Sequence, residues 1–177
     1  MKRTLCFLLA LILLLSGCSL SNGNVKDPVE FYYLHTCGRP EENKVYFSEG
    51  PIASEIREAS GRRDDLYYLL SMYMRGPLDP DLQSPFPAGS TVVKIWQEDQ
   101  ALHVVLNAIA ANLEDLDLSL AVACLAQTCI ALTDIEIVHI ECRGIDNNIL
   151  FSTMVTDSSF LLEDPVSAFT APAETTQ

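Results

Sequence analysis

The chain is poor in basic residues: 11 Lys and Arg stand against 24 Asp and Glu, a formal charge of −13. A surface that acidic repels nucleic-acid backbones and anionic lipid headgroups alike, so neither a nucleic-acid partner nor attachment through a polybasic patch is expected. Histidine occurs three times, as His35, His103 and His139. None sits in H-x-x-x-H spacing, no C-x-x-C occurs, and His139 and Cys142 fall on opposite faces of any strand that holds both. No metal site is therefore expected. G-x-S-x-G, the P-loop and G-x-G-x-x-G are also missing, so no nucleophile elbow, phosphate cradle or dinucleotide turn is present. With no catalytic constellation and no cofactor motif, an enzyme is the weaker alternative.

What is present begins at the N-terminus. Lys2 and Arg3 precede an apolar run over residues 5–15. That run is too short for a bilayer core, which needs ~20 residues, and it reads as the h-region of a signal peptide. No later stretch is read as membrane-spanning. Leu15-Ser16-Gly17-Cys18 resembles a bacterial lipobox. The resemblance implies cleavage between Gly17 and Cys18 and a diacylglycerol on the Cys18 sulfur, and two acyl chains hold a protein stably at a membrane. The expected location is extracytoplasmic, anchored to the cell membrane by lipid. Without the leader, 160 residues remain with nine basic side chains against 24 acidic ones, a formal charge of −15.

The expected division is a leader over 1–17, a lipidated cysteine and tether over 18–28, one domain over 29–162 with its core at 62–144, and a disordered tail over 163–177. Within the domain, 29–36 reads as a strand, 45–47 as a short extended piece and 52–59 as a segment without clear period. A helix is expected over 62–75, with Leu66, Leu69, Leu70 and Tyr73 on one face, Ser60 as N-cap, and Gly76-Pro77 as its stop. The proline-rich stretch 77–89 is expected as a loop. Residues 91–97 and 101–107 read as a hairpin, Val93 and Ile95 joining Leu102, Val104 and Leu106 on one face, with Lys94, Trp96 and His103 on the other. A second helix is expected over 116–132, a strand over 135–142 and an edge strand within 147–162. The economical packing is α+β, two helices on one face of a mixed three- to four-stranded sheet.

Cys37, Cys124, Cys129 and Cys142 follow the leader. Cys124 and Cys129 diverge by ~140° on a helix, which prevents their pairing with each other. A Cys129–Cys142 bridge and buried free thiols both remain open. Glu114-Asp115-Asp117 reads as the acidic first turn of the second helix, favoured by its dipole, with calcium binding as the alternative. One side of that helix is small and uncharged, which marks Ala123, Ala126 and Gln127 as a candidate contact surface, with Trp96 as a candidate interface anchor.

Leu69-Leu70, Arg75-Gly76-Pro77 and Ser84-Pro85-Phe86-Pro87-Ala88-Gly89-Ser90, in that order, resemble the GerMN domain of spore germination and sporulation lipoproteins. In that family a helix ends in Leu-x-Gly-Pro and a Pro-x-Gly turn leads into a hairpin. The likeness runs on through Val104-Val105-Leu106-Asn107 and the second helix to Val138-His139-Ile140-Glu141-Cys142-Arg143-Gly144. Asn107 and Arg143 depart from the family's aspartates. Gly76, Pro77, Pro87 and Gly89 carry the turn motifs. The resemblance implies a ring-building-motif-like fold and a non-catalytic module, in single-domain form. It further implies action by self-association or by contact with an envelope or sporulation protein. The alternative is a small-ligand-binding envelope lipoprotein, or an envelope enzyme, with a polar pocket between the second helix and the sheet.

Overall fold

The computed structural model describes residues 25–36 and 50–156. The leader, Gly17 and Cys18, most of the tether, Cys37, the 45–47 piece and everything from 157 onward lie outside the described residues. The elements run β1 (Pro28–His35), β2 (Ile52–Glu58), α1 (Leu66–Tyr73), β3 (Leu82–Gln83), β4 (Val92–Glu98), β5 (Ala101–Asn107), a 3-10 turn (Ala108–Ala111), α2 (Asp115–Thr133), β6 (Ile137–Arg143) and β7 (Ile149–Thr156). The class is α+β, and the strands form two sheets. An antiparallel sheet has the order β2-β1-β3, and a mixed sheet has the order β4-β5-β6-β7. The mixed sheet has four strands, within the three to four expected, but it is built from β4 to β7 without β1. β1 instead pairs with the segment at 52–58, whose period was weak because Glu55 and Arg57 occupy a nearly buried face.

In the mixed sheet β4 and β5 are an antiparallel hairpin, β5 and β6 run parallel, and β6 and β7 are antiparallel. The parallel pair needs a crossover, which α2 supplies. Val104, Leu106, Val138 and Ile140 are buried on the covered face. Helix α2 packs against β1 of one sheet and β6 of the other, so it lies at the centre of the core. The helix also makes a polar contact with β1 from inside that core. Thr128 is fully buried, and its hydroxyl accepts the Tyr32 N–H at 2.9 Å. That bond satisfies the edge of β1 where β3, only two residues long, no longer reaches.

By length and composition α2 is apolar enough to cross a bilayer, which the reading of the sequence missed. Its apolar surface is used inside the protein. Ala121, Val122, Cys124, Leu125, Ala126, Thr128 and Cys129 are buried, an arc of roughly 200° at 100° per residue. Ala126 thus belongs to the core and offers no contact surface, which corrects the expectation for it. Ala123 and Gln127 lie on the narrower, half-buried strip.

Helix α1 starts later than expected. Its N-cap is Asp65, whose carboxylate accepts the Tyr68 N–H at 2.9 Å, while Ser60 sits in a turn at φ 54°. The neighbouring Arg62 and that N–H together hold the Asp65 carboxyl below the usual carboxylate range, the N–H contributing most. Gly76 follows the helix at φ 90°, a conformation costly for any residue with a Cβ. The helix end is also tied to β2. Arg57 donates to the Gly76 carbonyl at 2.6 Å and to Glu55 at 2.6 and 2.8 Å, and the other Glu55 oxygen accepts the N–H groups of Leu78 and Asp79. The same guanidinium lies 5.4 and 5.5 Å from the Phe31 and Tyr33 ring centres. Tyr33 in turn stacks on Tyr73 at 4.9 Å and donates to its carbonyl.

The hairpin departs from simple alternation at one point. A bulge between Val92 and Lys94 turns Val92 into the core and leaves Val93 59% exposed, on the side opposite to that expected. Ile95, Leu102, Val104 and Leu106 face the core as expected.

Candidate functional site

The uncovered face of the mixed sheet gathers the side chains with chemistry. Strand pairing sets Trp96 across from His103 on the antiparallel side, and His103 across from His139 on the parallel side. Trp96 stacks on His103 with ring centres 4.7 Å apart, and Lys94 Nζ lies 4.4 Å from the Trp96 ring. His103 and His139 meet edge to face, their Nδ1 atoms 3.0 Å apart. His139 Nε2 bonds the Ser152 hydroxyl at 2.8 Å. Beside this row Arg143 holds Glu141 Oε2 at 2.7 and 2.9 Å and donates to Asn147 Oδ1 at 3.1 Å. A row of aromatic and charged groups therefore crosses β4, β5 and β6 and ends on the Ser152 hydroxyl of β7.

At one end of the row lies an open trough of about 700 Å³. Val105 forms part of its floor, Trp96 and Arg143 flank it, and Val93, Ile109 and Ile145 stand at its rim. Those three rim residues are 59%, 38% and 101% exposed. Apolar side chains clustered around an aromatic anchor and cations are the composition of a contact surface rather than of a sealed pocket. The space between α2 and the sheet, where a small-ligand pocket was the alternative, is filled by core side chains.

The residues of the Pro87–Gly89 turn are tied into the start of the hairpin. Asn107 accepts the Thr91 N–H at 3.2 Å and donates to the Gly89 carbonyl at 2.9 Å. An amide supplies both the donor and the acceptor that this turn uses, which an ionised aspartate cannot. Gly89 has φ 90°, and a Cβ there would sit 3.2 Å from Ile109 Cδ1. The Pro87 carbonyl accepts the Ser90 N–H at 3.1 Å. Gly76 and Pro77 instead border a second depression, of about 720 Å³, beside Ile56 and Arg57.

Asp115 and Asp117 occupy the first turn of α2, with Glu114 at its N-cap. Among the described residues no three His, Cys, Asp or Glu side chains gather to cage a metal ion. Cys124, Cys129 and Cys142 are free and buried. Burial pushes the thiols of Cys124 and Cys129 up to about 12 from an ordinary value near 9, and raises Cys142 as well. These thiols stay neutral in the fold, whereas the unfolded chain ionises them above pH ~9. The stabilisation is complete below that pH and is lost as pH rises toward 12. The urea midpoint is expected to fall above pH ~9. Peptide mapping after alkylation is expected to find all three unlabelled in the native protein and labelled in urea. Labelling of Cys129 under native conditions at about pH 8, near the ordinary thiol range, contradicts the burial.

The sequence pattern could not place the histidine pair, because it depends on parallel pairing between residues 36 apart. The one available signal was that His103 and His139 each alternate with core residues, so both had to face outward.

No protein-family model and no curated protein matches the chain. Among solved structures it is similar to the tandem GerMN domains of the sporulation protein GerM from Bacillus subtilis. The identity is 14% over 80% of this chain, with a TM-score of 0.47, and the chain spans about half (49%) of that structure's length. It is similar as well to the first GerMN domain of GerM from Bacillus subtilis, at 15% identity over 68% of this chain and 84% of that one, with a TM-score of 0.43.

Proposed function

We propose that the chain is a lipoprotein of the cell envelope, held at the membrane through lipidated Cys18. Its α+β module acts by protein–protein contact or self-association, in sporulation or spore germination. The observation that carries the contact is the uncovered face of the mixed sheet, where Trp96 stands beside Lys94 and a trough rimmed by exposed Val93, Ile109 and Ile145. The anchor is supported by Leu15-Ser16-Gly17-Cys18, and the cellular process by the Gly76-Pro77 and Pro87-Ala88-Gly89 turn sequences. A trough of about 700 Å³ also falls within the ~300–1,000 Å³ of small-ligand sites. That observation favours ligand binding at the same face as the second reading.

The test has two arms. In fractionated cells the wild-type chain is expected with membranes and Cys18→Ala in the soluble fraction; membrane retention of Cys18→Ala overturns the anchor. For the contact face, Trp96→Ala is expected to weaken the cross-linked assemblies of the membrane-bound chain by roughly tenfold or more, an effect of at least ~1.4 kcal/mol at an aromatic anchor. Unchanged assemblies with unchanged folding overturn that arm.

A further inference from the structure

We propose that His103 and His139 form an open binding site for a divalent transition metal that takes nitrogen ligands at right angles, of the Ni(II) or Cu(II) type. This site is distinct from the closed three- or four-residue cage that the described residues lack. Its two donors are Nδ1 atoms, 3.0 Å apart, on directly paired residues of parallel strands. At metal–nitrogen distances of ~2.0–2.1 Å, two ligands at 90° lie about 2.9 Å apart, whereas a tetrahedral pair needs about 3.3–3.4 Å. The observed separation matches the right-angled pair, the arrangement of tetragonal copper and nickel sites.

The surroundings fit a bound cation. The two nitrogens face each other at hydrogen-bond distance; for both lone pairs to meet at one metal ion, each ring turns by about 45° from the line that joins them, and the ion takes the place of that hydrogen bond. Ser152 contacts His139 Nε2, and Trp96 stacks on His103, so each ring has a neighbour beyond its partner that can orient it once turned. Such outer contacts orient imidazole ligands. Glu141 Oε1 lies 3.8 Å from His139 Nδ1, while its Oε2 is held by Arg143, so the carboxylate beside the site is already paired with a cation. Water completes the coordination, because both rings sit on the uncovered face of the sheet. The acidity of the whole chain raises the local concentration of cations.

The geometry also supplies a reporter, since Trp96 is the chain's single tryptophan and touches His103. The full-length protein in detergent is titrated with Ni(II), which does not oxidise thiols. One equivalent is expected to quench Trp96 emission and to broaden the ring-proton signals of His103 and His139 ahead of those of His35. His103→Ala and His139→Ala, each shown by circular dichroism to fold, are expected to bind Ni(II) roughly tenfold or more weakly. Wild-type affinity in either folded variant overturns the site. Should the variants fail to fold, the wild-type signals alone decide: equal broadening of all three histidines, or none at one equivalent, overturns it.

Discussion

Arg57→Ala is expected to cost about 3–5 kcal/mol, the range for removing one partner of a buried ion pair. Arg57 is 8% exposed and Glu55 11%. The substitution strips Glu55 of its cation and leaves the Gly76 carbonyl without its donor at the end of α1. It also removes the cation from beside the Phe31 and Tyr33 rings. Glu55 would still hold the Leu78 and Asp79 N–H groups, but as a nearly buried and unpaired carboxylate. Replacing both partners with apolar residues of similar size is expected to cost less than either single change, because no charge is then stranded. Urea unfolding of Arg57→Ala, Arg57→Met, Glu55→Leu and the Arg57→Met/Glu55→Leu double variant measures this directly. A loss below ~1 kcal/mol for Arg57→Ala would place the pair with exposed ion pairs, which contribute that little.

This cluster also shows where the sequence was legible and where it was not. Both helices and β6 were visible from their own periods and the hairpin from two β-rich runs around a short turn, while β7 was placed only as an edge strand within 147–162. β2 was weak because a salt-bridged Glu and Arg stand where apolar residues would have made an alternation. The second sheet followed from that weakness: without a firm β2, β1 had no partner except the central sheet. The N-cap moved from Ser60 to Asp65 because Ser60 sits in a turn at φ 54°, while the Asp65 carboxylate accepts the Tyr68 N–H. Val93 went to the wrong face for a different reason. One bulge residue inverts every inference made from alternation on its far side. The uncovered face was half legible: Lys94, Trp96 and His103 were grouped correctly within the hairpin, but His139, Arg143 and the trough depend on how β6 pairs.

Ala126→Arg is expected to abolish the fold, and the reason separates the core of α2 from its surface. Ala126 has no exposed area and lies within the buried arc of the helix. Overpacking alone costs ~1–3 kcal/mol. An unpaired guanidinium adds several kcal/mol, because the buried neighbours of α2 offer it no carboxylate. Together these consume most of the ~5–15 kcal/mol that holds a domain of this size. Gln127→Arg, one residue along, enters the half-buried strip and lets the long side chain reach water, so it is expected to shift the urea midpoint little. Circular dichroism of the two variants settles the matter. A cooperative transition near the wild-type midpoint for Ala126→Arg would mean that this turn of α2 faces solvent, and that the surface expected there from its small residues exists after all. Loss of the transition in Ala126→Arg with its retention in Gln127→Arg leaves Ala123 and Gln127 as the only members of that group a partner can touch. It also makes Trp96, on the opposite side of the sheet, the better residue with which to probe assembly.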